Sequence, residues 1–230
     1  MTIRIAKRMA AVGASPTLAI TAKAKALQAQ GKKVIGFGAG EPDFDTPDPI
    51  KEACIEAIRT GFTKYTAAGG IPELKKAICD KLQRENGLTY AANEVIVCCG
   101  AKHALYAAIL SLIDDGDEVL VPVPYWVTYP EQVKMAGGTP VFVQTREEDG
   151  FALKPDAVRK AITPRTRALI LNSPCNPTGA VISTPDLQAL ADLAREKDLV
   201  VISDEIYEPM IYDGRKHVSI ASFPDMKERF

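Results

Sequence analysis

Residues 199–214 read "LVVISDEIYEPMIYDG". The first five are apolar or small in succession, without the polar alternation of a strand that has one wet face, so they predict a strand covered on both sides. Two acids then arrive together, Asp204 and Glu205, followed by Tyr207. Ionising a carboxylate at the end of a buried strand is costly unless something cationic meets it there. A strand of this kind belongs to a sheet held between helices, and the rest of the chain has to supply both.

Outward from that stretch the elements alternate. "NEVIVCCG", "DEVLVPV", "TPVFVQT" and "RALILNSP" read as strands, each short and nearly continuous in apolar residues. Helical patterns lie between them, over residues 102–113, "YPEQVKMAGG", "PDAVRKAI" and "TPDLQALADLAREK". Further helices are predicted at 17–30, 48–59 and 72–85, the last two ending before Gly61 and Gly87. Three prolines make "EPDFDTPDP" a loop. The sequence therefore predicts an α/β fold, a mostly parallel sheet with helices on both faces. We expect residues 1–45 to form an N-terminal arm and part of a small domain, and 46–230 a large domain.

Composition narrows the function. The chain has 230 residues, 47% hydrophobic and 25% charged, with 28 Lys plus Arg against 29 Asp plus Glu. A formal net charge of −1 gives no electrostatic footprint for nucleic acid or an anionic membrane. No apolar run approaches the roughly 20 residues that span a bilayer. The N-terminus "MTIRIAKRMAAVGASP" lacks the apolar core of a signal peptide. Five scattered cysteines without a CxxC pair, and two histidines, suit a reducing compartment better than a disulfide framework or a zinc site. Cytoplasmic location is the expectation, with no metal.

In a parallel sheet, ligands gather beyond the carboxyl ends of the strands. The residues there form four groups. In "CCGAKHAL", Gly100 stands between a strand and a helix beginning near Ala101, where free N–H groups and the helix dipole suit an anion such as phosphate. An ordinary tight turn accounts for these residues equally well. "PVPYWVTYP" carries the only Trp, Trp126, a platform for a flat heteroaromatic ring, although a lone Trp also serves core packing. "NSPCNPTG" fixes a rigid loop in which the amide of Asn176 can donate to a phenolate-like oxygen. Asp204 can pair with a protonated ring nitrogen, and Tyr207 can reach the ring's other polar edge. Taken alone, Asp204 reads better as a cap on the next turn, with Glu205 solvated.

In order along the chain, "AGEPDFDTP", "KYTAAGGIPELKKAI", "GAKHAL", "YWVTYP", "NSPCNPTG" and "SDEIYE" resemble the class I aminotransferases, fold-type I enzymes that use pyridoxal 5′-phosphate (PLP). The likeness spans nearly the whole chain and is nearest to the bacterial aspartate branch. It implies transamination between an amino acid, expected to be L-aspartate, and a 2-oxo acid such as 2-oxoglutarate. Carried over by position, it implies that Asp204 keeps the pyridinium nitrogen protonated and that Trp126 stacks on the ring. Asn176 and Tyr207 would hydrogen-bond the ring oxygen. The N–H groups of Gly100, Ala101 and Lys102 would cradle the phosphate. Tyr65 would reach the phosphate of a neighbouring subunit, which implies a homodimer with shared sites. Gly40 would lie by the substrate carboxylate, with Trp126 and Asn176 also lining the substrate side.

One feature departs from the family pattern. The family's lysine that bonds to the cofactor lies about 30 residues beyond Asp204, and the sequence reaches only Phe230. Lys227 lacks the family's Ser-x-Ser-Lys surroundings and reads as a surface residue. The expectation is an N-terminal part of a longer enzyme, inactive by itself. The same fold also hosts lyases, synthases and non-catalytic PLP-binding modules of regulators. A dinucleotide enzyme is disfavoured by the absence of GxGxxG.

Overall fold

Four strands, β1 (Glu118–Val123), β2 (Thr139–Gln144), β3 (Thr166–Asn172) and β4 (Val200–Asp204), form one sheet in the order β2-β1-β3-β4. Every pairing is parallel. The structure, a computed structural model, describes residues 3–36, 38, 40 and 44–229; Ala39 and residues 41–43 of "AGEPDFDTP" lie outside the described residues.

Alternate residues along each strand point to opposite faces, and the two faces build two cores. Leu120, Val143, Leu169, Leu171 and Val201 pack beneath helices α6 (Pro155–Ala161) and α7 (Thr184–Glu196), through Val158, Leu187, Leu190 and Leu193. Val119, Val121, Ala168, Ile170 and Ile202 face α4 (Ala101–Leu112) and α5 (Thr128–Met135), meeting Leu105, Ile109, Tyr129 and Val133. Helices thus cover both faces, which is why the strands carry apolar residues without a polar alternation. Local chemistry sets the helix ends. The Ser183 side chain accepts from the Asp186 N–H at 3.2 Å and opens α7.

Residues 95–98 differ from expectation. They were predicted as a strand, yet among the described residues they join no ladder. Val95 is extended (φ −117°, ψ 130°), the Val97 N–H donates to Gly69 O at 2.9 Å, and Ile96 is 74% exposed. Apolar β-branched residues favour extended backbone, but a strand exists only with a neighbour to pair with.

At the amino end of β1, Glu118 is buried. Its carboxylate accepts from Thr163 Oγ1 at 2.6 Å and Arg165 Nε at 3.0 Å. The Thr163 bond first, then Arg165, hold its pKa below the ordinary glutamate value against the opposing effect of burial.

The chain divides into two compact units, one made of Gly13–Ala68 and the other of Met1–Val12 with Gly69–Phe230. The smaller contains α1 (Pro16–Ala29), opened by Ser15 and Pro16, and α2 (Asp48–Arg59). The larger contains the sheet and α3 (Pro72–Lys81). Among the described residues no helix is long and apolar enough to cross a membrane.

Parallel pairing brings the carboxyl ends of all four strands to one edge, at Val123, Gln144, Asn172 and Asp204. The chain crosses from β1 to β2 on one side and then past β1 to β3 on the other, so the connections part between β1 and β3. Such a switch point leaves a crevice outside the sheet.

Candidate active site

Asp204 closes β4 and is 8% exposed. Its Oδ2 accepts from the Tyr129 hydroxyl at 2.8 Å, and its Oδ1 from the Ile206 N–H at 3.2 Å. Among the described residues no cation is paired with it. Burial first, then the charge and hydrogen bond of Asp204, push the Tyr129 pKa far above its ordinary value. Tyr129 therefore remains an O–H donor through the physiological range. The Ile206 bond is the turn-capping contact that the sequence alone also allowed, so Asp204 both caps the turn and presents a buried carboxylate.

Beside it, the Asn172 Nδ2 donates to the Asp204 carbonyl at 2.9 Å, and Asn172 Oδ1 accepts from the Asn176 N–H at 2.6 Å. The "NPTG" loop is thereby tied to the end of β4, and its own turn closes through Gly179 N–H to Cys175 O at 2.7 Å. Asn172 and Asn176 line a depression with Pro122, Tyr125 and Tyr129, at the switch between β1 and β3. Asp204 lines a neighbouring one with Ala101, Ala104, Ser203 and Ile206. Tyr129 connects the two, belonging to the first lining and bonding to the carboxylate of the second.

Gly100 precedes α4 with φ 83° and ψ 163°, a backbone conformation that only glycine adopts readily, and a Cβ placed there meets nothing within 4 Å. His103 and Ala104 N–H groups bond back to Gly100 O, while those of Ala101 and Lys102 have no partner among the described residues. Trp126 sits just before α5, half-buried, with its ring edge-on to Tyr129 at 5.5 Å and the Lys102 ammonium 5.0 Å over its ring. Tyr207 is half-buried in the turn after β4.

The expected groups of the larger unit other than Tyr207 are joined by a path of contacts, from the Gly100 turn through Lys102, Trp126, Tyr129, Asp204 and Asn172 to Asn176. Gly40 and Tyr65 belong to the smaller unit, where Tyr65 is fully exposed and Gly40 is exposed, a Cβ placed on it meeting nothing within 4 Å among the described residues.

Three participants were not foreseen. Tyr129 and Gln132 lie within the predicted helix "YPEQVKMAGG", three residues apart; their spacing from Trp126 was the available signal. Glu205, which stands beside Asp204, is half-buried rather than solvated. It accepts from Ser203 Oγ at 2.8 Å and Ser219 Oγ at 2.9 Å, and lies 2.7 Å from His217 Nε2. Donor atoms of Glu205, Glu208 and His217 fall within 4.8 Å of one another, but Glu208 is already held by Lys81 and Asn86.

The profile of the family "Aminotransferase class I and II" matches residues 32–229. An aspartate aminotransferase of Geobacillus stearothermophilus is 53% identical over 98% of this chain and 58% of its own length. An aspartate/prephenate aminotransferase of Nitrosomonas europaea is 49% identical over 99% of this chain and 58% of its own. Among solved structures, an aspartate aminotransferase from Thermus thermophilus with maleate superposes with a TM-score of 0.93 at 49% identity. It is matched over 96% of this chain and 57% of that one. The chain therefore spans little more than half the length of these relatives.

Proposed function

As the chain belongs to the aminotransferase class I and II family, we propose that the complete protein moves an amino group from L-aspartate to a 2-oxo acid such as 2-oxoglutarate. The relatives in this family depend on PLP. Bound PLP supplies an electron sink that stabilises negative charge at the α-carbon of the amino acid. The residues present fit that group. The observation that carries the proposal is Asp204, a buried carboxylate with two donors and, among the described residues, no cation, lining one depression with the first residue of α4. A buried charge without a counter-ion is a standing cost, and a protonated pyridine nitrogen removes it.

In this proposal Asp204 holds a proton on the ring nitrogen, with Tyr129 holding Asp204. The Asn176 amide and the Tyr207 hydroxyl donate to the ring oxygen, and Trp126 covers a ring face. The free amides of Ala101 and Lys102, beyond Gly100, hold the phosphate at the positive end of α4. Gly40 and Trp126 face the substrate. Tyr65 reaches the phosphate of a second copy in a homodimer, a role supported by its full exposure and by exposed Phe44, Ile58 and Phe62 in the same unit. We place the enzyme in the cytoplasm.

The test is transamination by the complete protein, with PLP, L-aspartate and 2-oxoglutarate, followed as oxaloacetate formation. Turnover with aspartate exceeding that with aromatic or branched donors is expected. Absence of transamination with every amino donor would overturn the proposal.

A further inference from the structure

Helix α5 carries three buried or half-buried side chains at three-residue spacing, Trp126 just before it and Tyr129 and Gln132 within it, which places them along one face. Each reaches a different part of the site. The Tyr129 hydroxyl donates to Asp204 at the end of β4. Gln132, 5% exposed, donates from Nε2 to the Lys102 carbonyl at 2.8 Å, in the first turn of α4. Lys102 is also held at its other end, where its ammonium lies over Trp126.

Packing does not explain these polar groups. Among the described residues Gln132 Oε1 is buried without a hydrogen-bond partner, a state that costs stability and that an apolar side chain of the same length avoids. Phenylalanine would likewise fill the space of the Tyr129 ring, which is 2% exposed. What the amide and the hydroxyl supply is location. One end of a single rigid helix fixes the carboxylate, and its next turn fixes the backbone from which the unpartnered Ala101 and Lys102 amides project.

We propose that Tyr129 and Gln132 are positioning residues that set the separation between the Asp204 carboxylate and the anion-binding turn of α4. They thereby select a ligand with a basic ring nitrogen at one end and a phosphate at the other. This rests on the cofactor role proposed above. Neither residue need touch the ligand. Each acts through a neighbour, Tyr129 through Asp204 and Gln132 through Lys102.

Binding to the complete protein can be followed by fluorescence, because Trp126, the only tryptophan of these 230 residues, lies in the site. Three probes separate the two ends: pyridoxamine 5′-phosphate, which has no aldehyde to react with lysines; pyridoxamine, which lacks the phosphate; and the phosphorylated analogue with CH in place of the ring nitrogen. Tyr129→Phe is expected to weaken the first two about fivefold to tenfold and the CH analogue less than about twofold, the loss of roughly one hydrogen bond's influence. Gln132→Met is expected to weaken both phosphorylated probes about fivefold and pyridoxamine less than about twofold. Equal losses for all three probes, or no loss in either variant, overturn the positioning role while leaving the cofactor role standing. If the complete, unsubstituted protein binds none of the probes, both are overturned. Should Tyr129→Phe fail to fold, the Gln132→Met pattern decides.

Discussion

Replacing Asp204 by Asn separates a residue that holds the fold from one that holds a ligand. In the folded chain the carboxylate accepts two hydrogen bonds, from Tyr129 at 2.8 Å and Ile206 at 3.2 Å. Asparagine keeps both contacts. Its oxygen accepts from Ile206, and its NH₂ donates to Tyr129, whose hydroxyl turns to accept. Exchanging two charge-assisted bonds, each worth about 1.5–3 kcal/mol, for neutral ones of about 0.5–1.5 kcal/mol loses roughly 2–3 kcal/mol. Against this, the variant no longer buries a charge without a counter-ion, whose penalty amounts to several kcal/mol per ion at full desolvation. The two effects oppose, so we expect stability to change by no more than about 1 kcal/mol. Alanine differs, because it strands the buried Tyr129 hydroxyl and the Ile206 N–H, at about 1–3 kcal/mol. Ligand binding should follow the opposite ranking of causes. Losing a bond to a charged partner weakens pyridoxamine 5′-phosphate by about 1.5–3 kcal/mol, or tenfold to a hundredfold, in both variants. Urea unfolding monitored through Trp126, with a titration of the same samples, measures both quantities. A loss above about 3 kcal/mol of stability in Asp204→Asn, or unchanged affinity for the ligand, would refute the assignment and make Asp204 a structural anchor.

Three further outcomes are expected. Leu169→Ala, at a residue 1% exposed in the central strand β3, should lower unfolding stability by about 2–5 kcal/mol through lost burial and a cavity, measured by urea midpoint. Gly100→Ala should cost about 1–3 kcal/mol from backbone strain alone, since φ 83° with ψ 163° disfavours any Cβ although nothing blocks it. It should also weaken pyridoxamine 5′-phosphate more than pyridoxamine; a variant as stable and as discriminating as its parent would show that the turn is not required. Glu118 has its folded pKa lowered, by Thr163 first and then Arg165. Its contribution is therefore present above the unfolded glutamate value of about 4.3 and lost as pH falls through the folded one. In urea midpoints taken from about pH 6 to about pH 3, Glu118→Gln should flatten the acid-side decline. An unchanged slope would remove Glu118 from the account.

From β1 to β4 the alternation was legible because β1, β3 and β4 are buried on both faces and the edge strand β2, exposed at Phe142, still reads as an apolar run, while each helix repeats at its own period. Residues 95–98 have the same apolar character without a ladder, because pairing requires a neighbour that local composition does not specify. Asp204 was legible by its position at a strand end. The burial of Glu205 was not, since Ser203, Ser219 and His217 meet it only once the chain after β4 has folded back.

By itself, then, the sequence determined the strand-and-helix order, the parallel sheet and the residues at its carboxyl edge, all of which follow from side-chain periodicity and the chemistry of turns. Tertiary structure alone decided that α5 lies where its Tyr129 hydroxyl meets Asp204 and its Gln132 amide meets the Lys102 carbonyl. These partners are 75 and 30 residues apart in the chain. No local pattern encodes such distances, because they are set by how α4 and α5 pack against one face of the sheet.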